Sequence, residues 1–215
     1  MENLVYILFI SLNIPLFMML WMLDKKSQRL VLFLILGMIV CILASEINPI
    51  IVYSITEDWI YATTTITPIV EEILKAIPII FYALFISNNK QSILEVSMAI
   101  GIGFALLENV WSLVTYIDSA TILWAFIRGF GSALMHGVCC LVIGNGLIYI
   151  KTQKKLLYTG IFAILSVSIT YHAIYNSLVQ SANPYSGIVL PILTYIPILF
   201  FLKKEGYLKK DNLEH

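Results

Sequence analysis

Seven apolar runs of bilayer length, separated by short polar breaks, constrain this chain more than any other feature. They fall at about 4–23, 30–54, 59–86, 93–117, 120–150, 156–179 and 186–202. A hydrocarbon core of about 30 Å needs roughly 20 residues of helix at 1.5 Å each, so each run is a membrane-helix candidate. The breaks "DKKSQR", "TED", "SNNKQ", "DSAT", "KTQKK" and "SANPYSG" carry turn or charge signals. With 60% hydrophobic and only 12% charged residues, a soluble core is excluded and an all-α, polytopic membrane helix bundle is expected. No internal repeat or low-complexity linker divides it, so residues 1–215 read as one transmembrane domain. The first run begins almost at Met1, without a basic leader or a small-residue cleavage site, and reads as a retained helix.

Charge distribution says more than its sum. Thirteen basic residues balance thirteen acidic ones, which gives no argument for a nucleic-acid partner. In an alternating seven-span arrangement, Lys25, Lys26, Arg29, Lys90, Lys151, Lys154, Lys155, Lys203, Lys204, Lys209 and Lys210 all fall on one side. The opposite breaks hold only acids such as Glu57, Asp58 and Asp118. Basic loops stay in the cytoplasm, so the N-terminus is expected outside and the C-terminus inside, with 203–215 as a cytoplasmic tail. Cys41, Cys139 and Cys140 lie in apolar runs and form neither a disulfide framework nor a CxxC knuckle.

The third run is the anomaly. "TITPIVEEILKAIPIIFYALF" carries Glu71, Glu72 and Lys75. Three ionised groups near a helix centre cost roughly 9 kcal/mol on insertion scales, against about 6 recovered from a dozen apolar neighbours. Glu71 and Lys75 are four apart in the favourable order for pairing, and protonation of one Glu lowers the cost further. Further polar groups lie in the next three runs. "GIGFALLENV" holds Glu108 seven residues after Gly101, "RGFGSALMHGVCC" holds His136 in a small-residue seam, and "SITYHAIYNSL" places His172 and Asn176 on one face.

Counting along each helix from its cytoplasmic end shows that these groups share a level. Glu71 is about 15 residues from Ile86, Glu108 about 15 from Ile93, His136 about 14 from Ile150 and His172 about 16 from Leu156. All four stand roughly 21–24 Å above the cytoplasmic boundary, in the outer third of the bilayer. Lys75 lies a turn deeper, near ~16 Å, and Arg128 near ~33 Å, where it is expected to snorkel to the outer interface. Any one intramembrane Glu or His has an ordinary role in helix packing, and the glycines serve packing more often than chemistry. The shared level of both non-terminal histidines and the carboxylates is what packing alone explains poorly.

Such a set suits water activation in two ways. A Glu acts as general base while imidazole and Asn176 stabilise an oxyanion, or His136, His172 and a carboxylate such as Glu108 hold a divalent ion, typically Zn²⁺, with an open position for water. Spacing does not choose between them, so the cofactor stays undetermined. HExxH, a GxGD aspartate pair and GxSG are absent. Ser132 and His136, four apart on one helix, lack the approach geometry of a nucleophile and its base.

The ordered motifs "EEILK" (Glu71, Glu72, Lys75), "GFALLEN" (Gly103, Phe104, Glu108, Asn109), "HGVCCLVIG" (from His136) and "HAIYN" (His172, Asn176) resemble the PrsW family of intramembrane proteases. That family is more distantly similar to the CAAX prenyl endopeptidases and bacteriocin-processing membrane proteases. That group typically shows EExxxR and FxxxH, whereas this chain has Lys75 at the third position after Glu72 and Glu108 where the group tends to have His, and both departures favour PrsW. The resemblance covers about 67–176 and leaves 1–58 as variable N-terminal helices. It implies a multi-pass protease of the bacterial cell membrane that cuts single-span anti-sigma factors on their extracytoplasmic side. That is the site-1 step of regulated proteolysis, which activates a sigma factor in a stress response. The expected catalytic set is Glu71, Glu72, Glu108, His136 and His172, with Glu72 as the water-activating base. Lys75, Phe104, Asn109 and Asn176 are supporting residues. The rival reading is a proton- or ion-coupled transporter using the same relay, to which Pro68 and Pro78 would contribute broken helices, although no paired half-helices or repeats are visible. A scaffold that only binds single-span partners is the third reading.

Overall fold

The computed structural model describes residues 3–181, 186–204 and 206, and among these the secondary structure is helical, with no strand. There are seven helical runs: α1 (Leu4–Leu20), α2 (Lys25–Ile55), α3 (59–86), α4 (Lys90–Thr115), α5 (Ile122–Thr152), α6 (Leu157–Val179) and α7 (Ser186–Lys204). By length and composition α2, α4, α5, α6 and α7 can each cross a membrane, while α1 is apolar but shorter. Much of the "SANPYSG" break lies outside the described residues, as does the 203–215 tail beyond Gly206, His215 included.

Side chains in the breaks start several helices. Asp24 accepts from the backbone N–H groups of Lys26 and Ser27, Asn89 from that of Ser92, and Thr121 from that of Trp124, each satisfying N–H groups that a helix start leaves open. α3 is the irregular helix. Its α-helical centre, Thr67–Phe81, is flanked by π-helical segments Ala62–Ile66 and Tyr82–Ile86. Pro68 explains the first of these. It has no N–H to offer the preceding turn and its ring crowds that turn, which the wider π register relieves.

The bundle centres on α4, which packs most extensively against α5 and α2. Two glycines make both approaches possible. A side chain on Gly101 would meet the carbonyl of His136 at 2.6 Å, and one on Gly103 would collide with the Leu34 backbone. α4 thus presses one face on α5 and another on α2, as small residues allow where lipid offers no hydrophobic drive. The lysine-rich end is closed by polar contacts. Lys26 and Arg29 of α2 pair with Glu95 of α4 at 3.0 and 3.2 Å. Lys151 of α5 donates to the Ala83 and Ser87 carbonyls at the end of α3.

Candidate active site

Toward the opposite end, α3, α4, α5 and α6 bring their polar residues into one connected network. Lys75 Nζ donates to Glu72 Oε1 at 2.5 Å and to His136 Nδ1 at 2.7 Å. The ammonium has only protons to give, so His136 Nδ1 accepts and its Nε2–H faces Glu108 Oε2 at 3.0 Å. Glu108 in turn accepts from Ser132 Oγ at 3.1 Å and from Arg128 at 3.2 Å. His172 Nδ1 lies 2.7 Å from Glu72 Oε1, and with that nitrogen as donor its Nε2 lone pair is left facing Glu71 Oε2 at 3.9 Å. The two imidazoles meet edge to face with centroids 5.0 Å apart.

The cluster is closed from lipid. Glu72, Lys75 and His136 have no exposed surface, and Glu71 and His172 almost none. Phe104 covers it from α4, its ring 4.8 Å from that of His136 and its face 4.7 Å from Lys75 Nζ. A cation over a ring gains about 1–2 kcal/mol when desolvated, which partly offsets the burial of this lysine. Glu108 and Arg128 keep about a quarter of their side-chain surface exposed and form the edge of the site.

Charge pairing leaves one group out. Glu72 is paired with Lys75 and Glu108 with Arg128, whereas Glu71 has only a long 3.4 Å hydrogen bond from Asn48 of α2 and the 3.9 Å approach of His172. Three carboxylates against two cations leave one negative charge in excess, and Glu71 Oε2 is buried without a hydrogen-bond partner. A buried, unpaired carboxylate oxygen is costly and therefore marks where a proton or a cation belongs.

Several residues sit differently from their sequence-based expectation. Lys75 pairs with Glu72, three residues away, because both point inward to α5 and α6 while Glu71 turns to α2. Arg128 turns to Glu108 rather than to the interface. Asn176 donates to the backbone carbonyl of Thr63 at 2.9 Å. In the π register that carbonyl would receive the N–H of residue 68, and residue 68 is proline, so Asn176 supplies the missing donor and fastens α6 to α3. Asn109 lies beside the cluster, with Oδ1 buried and unpartnered. Arg128, Ser132 and Asn48 are network members that motif reading left out. The first two had a signal, since with His136 they repeat every four residues along one face of α5.

A family model for the PrsW family intramembrane metalloprotease matches residues 25–202. The chain belongs to the PrsW family. It is a multi-pass protein of the bacterial cell membrane and a membrane protease, and the transporter reading is not favoured. The PrsW match takes in α2, and with it Asn48, well outside the 67–176 stretch that carried the motifs. Searches of curated proteins and of solved structures returned no match.

The metal that the PrsW description implies can be tested against this donor set. Glu71, His136 and His172 are buried and each offers one ligand atom, all within 4.8 Å of one another. Two imidazoles and a carboxylate are the kind and number of ligands of a catalytic zinc site. Glu71 Oε2 and the Nε2 of His172 are open, and the excess negative charge favours a cation. His136 has both nitrogens engaged, so it must release either Lys75 or Glu108 to become a ligand. The residues fit the ion.

Proposed function

We propose that this protease is an endopeptidase that cuts a single-span membrane protein within the bilayer near its extracytoplasmic side, with N-terminus out and C-terminus in. An anti-sigma factor is the substrate class that the family favours, and the cut is then the site-1 step that leads to release of a sigma factor. The observation that carries this reading is the buried network in which every charge is matched except Glu71, whose open oxygen faces the open nitrogen of His172.

In the proposed reaction Glu72 is the base. Its Oε1 is held by Lys75 and His172, and its Oε2 is free of any partner. That free oxygen takes a proton from the water that attacks the peptide carbonyl. The new C–O bond forms as the carbonyl π pair moves onto its oxygen, and when the carbonyl re-forms the C–N bond breaks and the proton passes from Glu72 to the leaving amine. Glu72 also fixes the His172 tautomer so that Nε2 points into the site, while Lys75 and Glu108 hold His136 between them. Glu71, His172 and, once it releases Lys75 or Glu108, His136 would hold a divalent ion, which when bound lowers the pKa of water and polarises a carbonyl. Phe104 and the apolar helix faces keep bulk water away, which strengthens each of these electrostatic contacts.

The test is co-expression with a single-span substrate. Glu72→Gln, Glu108→Gln and His172→Ala should each abolish cleavage while the protein still accumulates in the membrane. The reading fails if all three variants leave cleavage intact. Metal analysis of purified protein, paired with chelator treatment, separates the two forms of the mechanism. A bound ion whose removal stops cleavage supports the metal form, and cleavage by metal-free protein supports the glutamate form.

A further inference from the structure

Toward the lysine-rich end of the bundle, between α7 on one side and α2 and α4 on the other, lies a cavity of about 430 Å³. α7 packs on α5 and α6, and the cavity takes up the space that separates it from α2 and α4. Its wall is largely apolar, with Leu34 of α2, Met98 and Ile102 of α4 and Leu199 of α7. The charged and amide groups of the wall, Glu95 and Gln91, gather at one end, in the first turns of α4. From Gln91 to Ile102 the wall rises about 16 Å along α4, half of a hydrocarbon core of about 30 Å and so the depth of one leaflet.

The polar end carries excess positive charge. Glu95 takes Lys26 at 3.0 Å, Arg29 at 3.2 Å and the Gln91 amide at 2.9 Å, so two cations share one carboxylate. With Lys25 and the capping carboxylate of Asp24 included, the start of α2 and Glu95 together hold three cations and two carboxylates. Lys203 and Lys204 follow directly on Leu202, which lines the cavity from α7. Lys26 keeps about half of its side-chain surface exposed and Arg29 about a third. An ammonium has three donors and a guanidinium five, so both can take a second anion while still holding Glu95.

A slot one leaflet deep, apolar below and cationic at the membrane surface, is complementary to a molecule with an acyl chain and an anionic head. Two turns of a helix about 10 Å across occupy about 850 Å³, twice the cavity, so an intact polypeptide helix does not enter it. We propose that the cavity between α2, α4 and α7 binds an anionic phospholipid, with an acyl chain along Leu34, Met98 and Ile102 and the phosphate at Lys26 and Arg29. Basic pockets between membrane helices hold anionic headgroups in this way. The site lies apart from the catalytic network and does not depend on the protease reading.

Photo-crosslinking tests this with the full-length chain in vesicles of equimolar phosphatidylglycerol and phosphatidylcholine with identical acyl chains. A benzophenone side chain is placed at Leu199, in the cavity wall, or at Ile196, which is exposed on the same helix and is not part of that wall. Adducts are weighed by mass spectrometry, and the ratio of phosphatidylglycerol to phosphatidylcholine adducts should be at least fivefold higher at Leu199 than at Ile196. Lys26→Gln combined with Arg29→Gln should bring the two ratios together. Glu95→Gln breaks the same ion pairs but removes the competing carboxylate, so it should raise the ratio at Leu199, whereas a purely structural cluster would respond to both changes alike. Equal ratios at the two positions, a fall with Glu95→Gln, or a polypeptide adduct at Leu199 in place of lipid overturns the proposal.

Discussion

The two halves of α3 meet opposite demands. From Ala76 onward it buries Ala76, Ile79, Tyr82 and Ala83 against Ile93, Val96 and Ile100 of α4 and Ile143 and Leu147 of α5, a dry apolar core. One turn earlier it buries Glu71, Glu72 and Lys75 among two histidines. Replacing a buried ion pair by apolar side chains of similar volume is often neutral or stabilising, so stability does not explain why this half is charged. The difference teaches that the apolar half holds the helices together, while the charged half spends part of that stability on a preorganised polar site.

Four substitutions break the comparison in different ways. The largest effect is expected for Lys75→Met, which leaves Glu72 buried without its cation and removes the donor to His136. It should cost about 3–5 kcal/mol in an unfolding titration and abolish cleavage. Adding Glu72→Gln should recover much of the stability and none of the activity, the opposite of what a purely structural pair would do. Next comes Gly101→Ala, which pushes on the His136 carbonyl. Overpacking of this kind costs about 1–3 kcal/mol, and because the strained backbone carries His136, cleavage should fall more than tenfold in protein that is still folded by thermal melting. In the dry half, Ile79→Ala should cost about 2 kcal/mol, the low end for such truncations, since lipid is itself apolar. Cleavage per folded molecule should remain within twofold. The smallest change is Lys151→Met, which removes the donor to the Ala83 and Ser87 carbonyls. It should lower stability by about 1 kcal/mol, with wild-type cleavage.

Reading the chain alone goes far on height and poorly on direction. Run lengths and breaks locate seven helices to within a few residues, because bilayer thickness and turn chemistry act locally. Counting rise per residue put Glu71, Glu108, His136 and His172 on one level, and the structure brings their side chains into one network. Which way each side chain turns is another matter. These helices are apolar nearly all round, so periodicity does not reveal which face meets which neighbour. Lys75 choosing Glu72 over Glu71, and Arg128 choosing Glu108 over the interface, depend on where α5 stands relative to α3 and α4. Asn176 shows a third limit. Its partner is a carbonyl freed by a proline more than a hundred positions away, a vacancy that appears only once α3 adopts the π register.

The central claim is that the charged half of the bundle hydrolyses peptide bonds. The most direct test is mass-spectrometric mapping of products from purified protein and a single-span substrate in liposomes. One principal cut is expected, within the part of the substrate's span level with Glu72, and none with Glu72→Gln. A cut of undiminished rate in the Glu72→Gln protein, or one level with the apolar half, would contradict it.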